Sequence, residues 1–279
     1  MTLVRTGDPG DGHPLTDYER RVLQELHDWK HPPVTFRSRA ADMIELGIDQ
    51  IASRLPLGFL DQMIRRGLPA LNRVASMTAV DEFVLAAYRR KGHAQVRSLD
   101  DIAALSLEDV ERVVGTKRFA ELVKGAGEGG VAGFYGAAGA VVDVPALLAL
   151  ALRSVNVFAY SYGFDPTTDE GRAYALSVID ASAALGTKAK QVTRAGVGFG
   201  QRMAGKEITQ RLLEHLPARL MVRLAAMNSS KAVPVAGAAT GAAFNAWFLQ
   251  SVAAHARMAY RQKFLERRHG PEVLEAHGL

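Results

Sequence analysis

A small set of polar residues stands inside two otherwise apolar stretches of the 279-residue sequence, where their types could support chemistry. They are Asp143, Arg153, Asn156, Asn245 and His255, with Gln250 and Arg257 nearby in the second stretch. Burying such groups without partners is costly, so each is expected to be paired in the fold or to contact a ligand. In the structural interpretation, Asp143 and Asn245 cap interrupted helices. In the functional interpretation, the polar residues line a pocket between two helical hairpins and bind the head group of a ligand.

Catalysis at this set would need an acid–base pair, and Asp143 with His255 is the available combination. Such a pair would make the protein a hydrolase, provided that the fold brings the two side chains within hydrogen-bond distance. No Gly-x-Ser-x-Gly nucleophile motif occurs. The sequence has no cysteine, which excludes thiol catalysis, disulfides and Cys-ligated zinc. His27 and His31 have a metal-ligand spacing but fit a solvated helix end, so we expect no metal and no cofactor.

The elements that must position these residues are predicted to be helices throughout. Three N-cap signals are present: Thr16 with Glu19, Ser98 with Asp101, and Ser106 with Asp109. Behind the first cap, apolar residues follow the spacing of one helix face, and Pro32-Pro33 ends that helix. Another amphipathic helix is predicted over Leu107–Lys124. Sustained alternation of apolar and polar residues is absent, so the fold class is all-α.

Two stretches rich in glycine and alanine are predicted to form the centre of this helical bundle. Residues 129–164 carry only two charges, Asp143 and Arg153, and residues 232–254 carry none. Glycine lowers helix propensity by about 1 kcal/mol, a cost that close helix packing can offset. We therefore expect two small-residue hairpins, at 126–164 and 232–265, buried in the core. Membrane-embedded helices are the alternative, since a span needs about 20 mostly apolar residues.

The order of motifs in these stretches resembles the EcsC family of bacterial proteins. The first run, Gly129–Ser182, combines a glycine-rich segment, Asp-Val-Pro, a leucine-rich helix and Tyr-Gly-Phe-Asp; the second, Val233–Arg268, combines proline, glycines, an asparagine and a basic end. The resemblance covers about residues 55–268. It implies an all-helical protein, named for a gene that accompanies an ABC transporter, with no established activity to transfer. We expect a disordered tail at 1–15, a single helical domain at 16–268 with acidic helices at 16–125, and a C-terminal tail at 269–279.

Charge is distributed unevenly along the chain. Residues 1–185 hold 20 Lys/Arg and 24 Asp/Glu, whereas residues 186–268 hold 14 Lys/Arg and three acids. A solvated helical face could carry this excess; the alternative is an anionic partner. The basic residues that would contact anionic lipid are Lys188, Lys190, Arg194, Arg202, Lys206 and Arg211. Nucleic acid is not expected, because clustered aromatic residues for stacking are missing.

These observations predict a non-catalytic protein that associates peripherally with the inner face of the membrane or with an ABC transporter. The segment Met1–Thr16 lacks the apolar stretch of a signal peptide, so we expect a cytoplasmic location. Two alternatives stay open. One is a soluble binder of a lipid-like or other apolar molecule, with Arg153 and Asn156 contacting its polar end. The other is a hydrolase with an unrecognised site.

Overall fold

The computed structural model describes residues 14–33, 79–115, 144–183 and 237–279. All regular structure in these ranges is helical, which confirms the all-α prediction. The helices described are α1 (Asp17–Lys30), α2 (Ala79–Arg90), α3 (Leu99–Ala103), α4 (Leu107–Val114), α5 (Val144–Ser161), α6 (Asp169–Ala183), α7 (Gly237–His269) and α8 (Pro271–Ala276).

The three N-cap signals form as the sequence predicts. At α1 the Glu19 backbone N–H donates to the Thr16 hydroxyl at 3.1 Å, and the Thr16 N–H donates back to the Glu19 carboxylate at 2.9 Å. The same reciprocal box forms between Ser98 and Asp101 at α3, and Ser106 accepts from the Asp109 N–H at α4. Each cap satisfies backbone donors that the first helical turn leaves without partners. Local sequence therefore determines where these three helices begin.

Helix α7 is the central element, at 33 residues and about 50 Å in length. It packs against α5 and α6 most extensively, and also against α1, α4 and α8. The predicted hairpin at 232–265 is therefore wrong, because this segment is one continuous helix from Gly237 onward. Neither proline nor glycine occurs from residue 242 to 269, so nothing in the sequence breaks the helix there. Asn245 lies inside α7, eight residues after its first residue, and so is not at an end of that helix.

Two further boundaries differ from the sequence prediction. Helix α4 ends at Val114, before Gly115, rather than continuing to Lys124. Glycine is a poor helix former, and the backbone angles of Gly115 are not helical (φ −39°, ψ 144°). Of the predicted hairpin at 126–164, the structure describes only the half that contains α5. Asp143 and the glycine-rich half lie outside the described residues.

The C-terminal segment 269–279, predicted to be a tail beyond the domain, is part of the packed structure. It forms α8, whose Val273 and Leu274 are buried against the core, and Leu279 packs on the same cluster. Within the described ranges, no helix combines the length and the apolar character needed to cross a membrane. The predicted disordered segment at 1–15 lies almost wholly outside the described residues.

An aromatic cluster fills the space between α5, α6 and α7. Tyr260 of α7 lies at its centre, with ring centroids 5.2 Å from Tyr174, 5.9 Å from Phe164 and 6.4 Å from Tyr162. The Tyr174 hydroxyl donates to the Ala259 carbonyl at 2.9 Å, which satisfies a polar group inside the core. This cluster holds the segment between α5 and α6 against the C-terminal half of α7.

Candidate functional site

The most highly connected polar group in the described structure is the carboxylate of Glu111 on α4, which is 5% exposed. Arg261 of α7 binds it through two parallel contacts, Nε to Oε1 at 2.6 Å and Nη2 to Oε2 at 2.9 Å. Arg257, one turn earlier, donates from Nε at 3.1 Å, and the Tyr162 hydroxyl also donates to Oε1. Arg261 additionally binds Glu25 of α1 at 2.6 Å. Two carboxylates and two guanidinium groups thus form a charge-balanced cluster that joins α1, α4, the end of α5 and α7.

This arrangement determines the ionisation of the cluster. Burial raises the pKa of Glu111, but the hydrogen bond and charge of Arg261, with the charge of Arg257, outweigh it and hold that pKa below its ordinary value. Burial, with the adjacent Glu111 charge, raises the pKa of Tyr162 well above its ordinary value. The carboxylate is therefore charged and the phenol neutral at physiological pH. A carboxylate that is charged at physiological pH and surrounded by donors serves as a structural anchor, since its lone pairs are occupied by those donors.

A second buried carboxylate, Glu19, anchors the C-terminal end of α7. Its Oε1 lies 3.1 Å from His269 Nε2 and 3.7 Å from Arg268 Nε, while Oε2 closes the N-terminal cap of α1. Burial raises the pKa of Glu19, but the backbone hydrogen bond of Thr16 and the side-chain bond of His269 lower it below the ordinary value. Arg268 also donates to the Leu105 carbonyl at 3.0 Å. One capping residue therefore fixes both a helix start and a helix–helix contact.

The Tyr-Gly-Phe-Asp segment, residues 162–165, connects α5 to α6 and is fixed by α7. Arg267 donates to the carbonyl oxygens of Gly163 at 2.8 Å and Tyr162 at 2.9 Å, and its guanidinium lies 4.1 Å from the centroid of the Phe164 ring. Asp165 accepts from the Thr167 N–H at 2.7 Å, which forms the turn into α6. Gly163 has φ +74°, and a Cβ there would lie 2.7 Å from the Leu99 carbonyl oxygen. The segment is therefore held on two sides, by α7 and by the backbone of α3.

An open cleft of about 430 Å³ lies between this connection, the start of α6 and α7. It is lined by Ala159, Phe164, Asp165, Thr168, Glu170, Gly171, Tyr260, Lys263, Glu266 and Arg267. A cleft of this volume is within the range of small-molecule sites. It is the candidate binding site of the described structure.

Lys263 is the most unusual residue of the cleft, because its side chain is only 9% exposed. Its ammonium lies 4.4 Å from the Tyr174 ring centroid, 5.0 Å from that of Phe164 and 3.5 Å from Glu170 Oε1. Burial lowers the pKa of Lys263, and the Glu170 charge opposes that effect only in part. The amine is held by two aromatic faces and one loose ion pair, and so retains capacity for a ligand.

Among the described residues, none of those predicted from the sequence lines this cleft. Arg153 and Asn156 lie one turn apart on α5, and both are buried. His255 lies on α7, where Nδ1 donates to the Ser251 carbonyl at 2.8 Å and the ring packs edge-on against Trp29. Burial lowers the pKa of Arg153. Asp143 and the six predicted lipid-contacting residues at 188–211 lie outside the described residues.

Sequence reasoning missed Glu111, Arg261, Tyr162 and Lys263. A signal for Glu111 was available, because it stands between Val110 and Val113 on the apolar face of a short amphipathic helix. Arg257 is recognisable from the sequence as costly to bury, and Arg261 follows it at the i,i+4 spacing of one helix face. A carboxylate and two guanidinium groups on apolar faces predict a buried ionic contact, although not its partners.

The fold and these contacts define an all-helical protein organised around one long helix, whose basic residues are bound by carboxylates and backbone carbonyls of its neighbours. The chain belongs to the EcsC protein family, whose family model matches residues 20–265. The match begins earlier than the resemblance in sequence motifs and includes most of α1. No curated protein and no solved structure matches the chain.

Proposed function

We propose that this EcsC family protein is a non-catalytic, cytoplasmic protein that attaches peripherally to the anionic inner surface of the membrane. The observation that carries the proposal is the location of its positive charge. The described residues hold 15 Lys/Arg and 18 Asp/Glu, a net of −3, although the chain as a whole is +5. Residues 186–231 hold nine Lys/Arg and two acids, a net of +7. An anionic surface would therefore be attracted chiefly to this basic segment.

The basic residues of α7 are poor candidates for that contact, because neighbouring elements already bind them. Arg257 and Arg261 bind Glu111, and Arg268 binds Glu19 and the Leu105 carbonyl. Arg267 and Lys263 contact the 162–165 connection and Glu170. The guanidinium groups of Arg257, Arg261 and Arg268 are paired with carboxylates and gain little from a membrane surface, whereas Lys263 and Arg267 line a cleft. The charge available to a membrane is thus concentrated in the basic segment 186–231.

Six residues of the basic segment are assigned to the lipid contact: Lys188, Lys190, Arg194, Arg202, Lys206 and Arg211. Each Lys or Arg near an anionic surface contributes about 1 kcal/mol, and salt screens that attraction within about 10 Å. A contact of this kind is strong at low salt and reversible at high salt.

Co-sedimentation with lipid vesicles tests the proposal. The protein is expected to bind vesicles that contain phosphatidylglycerol at about 0.05 M salt and to dissociate from them at about 0.5 M salt. Vesicles of pure phosphatidylcholine are expected not to bind the protein at either salt concentration. Failure to bind anionic vesicles at low salt would overturn it. Binding to washed native membranes but not to lipid vesicles would point instead to a membrane protein such as an ABC transporter as the partner.

A second candidate function, binding of an apolar or lipid-like molecule in the protein interior, is favoured by one observation on α5. The Oδ1 atom of Asn156 is buried and has no hydrogen-bond partner among the described residues. Buried polar atoms are normally satisfied, so a ligand hydroxyl or amide could complete this one. Native mass spectrometry of gently purified protein would then detect a bound molecule that Asn156→Leu removes. If the mass of the wild-type protein equals that of the polypeptide alone, the result would argue against this function.

A further inference from the structure

The cleft beside α7 presents three hydrogen-bond donors on one face of the helix. Tyr260, Lys263 and Arg267 follow one another at i, i+3 and i+7, and all three line the cleft. The Tyr260 hydroxyl makes no hydrogen bond to any described residue, although the side chain is 1% exposed. Arg267 uses two of its five N–H groups on backbone carbonyls. This face therefore has O–H and N–H groups that are available to donate hydrogen bonds to an anion.

Three carboxylates line the same cleft. Asp165 and Glu170 come from the segment that enters α6, and Glu266 comes from α7. Glu170 forms an ion pair with the donor face, and its oxygen lies 3.5 Å from Lys263 Nζ. Charge-assisted hydrogen bonds normally measure about 2.7–2.9 Å, so this ion pair is loose. The side chain of Glu170 is 48% exposed and free to turn toward a ligand.

The charges of the cleft match a ligand that carries both signs. With three carboxylates and two cations the lining is net −1, which disfavours a simple anion. A simple cation would be repelled by Lys263 and Arg267. A tetrahedral phosphate offers acceptor oxygens to the three donors, and a primary ammonium offers three N–H groups to the three carboxylates.

We propose that this cleft binds the aminoalkyl ester of a phosphate, with the phosphate against Tyr260, Lys263 and Arg267 and the primary ammonium against Asp165, Glu170 and Glu266. The ethanolamine phosphodiester of a phospholipid and its water-soluble glycerol ester share this chemistry. The cleft is open at one side, which leaves room for the rest of the ester to extend outward. The site does not include the basic segment 186–231. The proposal for the cleft can therefore be tested independently of the proposed binding to anionic vesicles.

Isothermal titration calorimetry with glycerophosphoethanolamine, compared with glycerophosphocholine, tests this site. The two probes have the same phosphodiester, but the trimethylammonium of the second has no N–H donor. The ethanolamine ester is expected to bind at least about tenfold more tightly. Equal affinity for the two esters, or no binding of either, would overturn the proposal.

Substitutions in the cleft supply the second arm of the test. Lys263→Met and Glu170→Gln are each expected to weaken binding of the ethanolamine ester at least about tenfold. Arg20→Met removes one exposed cation of α1 and is the matched control, with unchanged affinity expected. Because Glu170 is half-exposed, its variant reports on the site even if Lys263→Met does not fold. Wild-type affinity in Glu170→Gln would contradict the assigned ammonium contact.

Vesicles identify the source of the ester. At about 0.5 M salt, where the basic segment is screened, a headgroup site predicts more protein on vesicles of phosphatidylethanolamine and phosphatidylcholine than on phosphatidylcholine alone. Binding of the soluble ester without this enrichment assigns the site to a free aminoalkyl phosphate. Enrichment on phosphatidylethanolamine vesicles and binding of the soluble ester alone both support the proposed ligand chemistry of the cleft. Loss of binding to anionic vesicles would change neither conclusion, because that binding is assigned to the basic segment.

Discussion

The carboxylate of Glu111 and the guanidinium of Arg261 form a two-point ion pair in the protein interior, between residues 150 positions apart in sequence. Both side chains are at most 5% exposed. The pair joins a short helix near the middle of the described chain to the long C-terminal helix. A contact of this kind stabilises one arrangement of helices, because either charge alone would be buried without compensation.

Replacing Glu111 with Gln is expected to lower the free energy of unfolding by about 3–5 kcal/mol, since it leaves two arginines without their shared carboxylate. Glu108→Gln is the matched control, because Glu108 lies on the same helix, is half-exposed and, within the described ranges, pairs with exposed Arg112. Its cost is expected to be below about 1 kcal/mol. Urea unfolding measures both. A difference between the two variants of less than about 1 kcal/mol would show that the ion pair contributes little.

Tyr162→Phe removes one donor from the same carboxylate and is expected to cost about 1.5–3 kcal/mol, the value of a hydrogen bond to a charged group. Tyr160→Phe, two residues earlier, removes a hydroxyl that bonds to no described residue and should change stability by less than about 0.5 kcal/mol. The two variants remove the same atom from neighbouring tyrosines. Equal stability of both by urea unfolding would contradict the assigned contact.

Stability is expected to fall in acid as Glu111 and Glu19 are protonated. Their pKa values in the folded protein lie below the ordinary value of 4.5, so the unfolded chain binds protons first as the pH falls. The stabilisation they provide is complete above pH 4.5 and is lost as the pH falls through the folded-state pKa. The acid loss of stability, measured by urea midpoints against pH, should be smaller in Glu111→Gln than in the wild type. An identical pH profile for both proteins would show that Glu111 has no part in acid unfolding.

Gly163→Ala tests the close contact between the 162–165 connection and α3. Alanine must adopt positive φ there, at a cost of about 1–2 kcal/mol, and its Cβ would also lie 2.7 Å from the Leu99 carbonyl. Gly92 has φ +98°, and a Cβ added there would meet nothing within 4 Å, so Gly92→Ala carries the conformational cost alone. Gly163→Ala is expected to be the more destabilising of the two in thermal and urea unfolding. The reverse order would mean that the connection is not held against α3.

The sequence predicts those parts of this fold that depend on neighbouring residues. The Thr16–Glu19 box is formed within one helical turn, and the end of α1 precedes Pro32, so both follow from local chemistry. The continuous course of α7 was missed because its first half is rich in glycine and alanine, a composition shared by helices and hairpins. Only contacts with α5 and α6 distinguish the two.

The polar contacts of the interior could be predicted only in part. Arg257 was recognisable as costly to bury, but its partner Glu111 lies 146 residues away, and no local pattern links them. The cleft was not foreseen for the same reason, since Lys263 and Glu170 meet only when α6 packs on α7. One interpretation of the sequence assigned the basic residues at the end of α7 to a solvated helical face. The structure instead places several of them against carboxylates and backbone carbonyls.

Vesicle binding by two charge-matched variants tests the proposed membrane function most directly. The first replaces Lys188, Lys190, Arg194, Arg202, Lys206 and Arg211 with Gln; the second replaces six exposed basic residues of the described helices and loops, Arg20, Arg21, Arg90, Lys91, Arg97 and Arg112. Both lose six charges, so a difference between them reports location rather than net charge. The first should bind vesicles containing phosphatidylglycerol at least about tenfold more weakly than the second at low salt. Equal binding by both, or weaker binding by the second, would contradict the account.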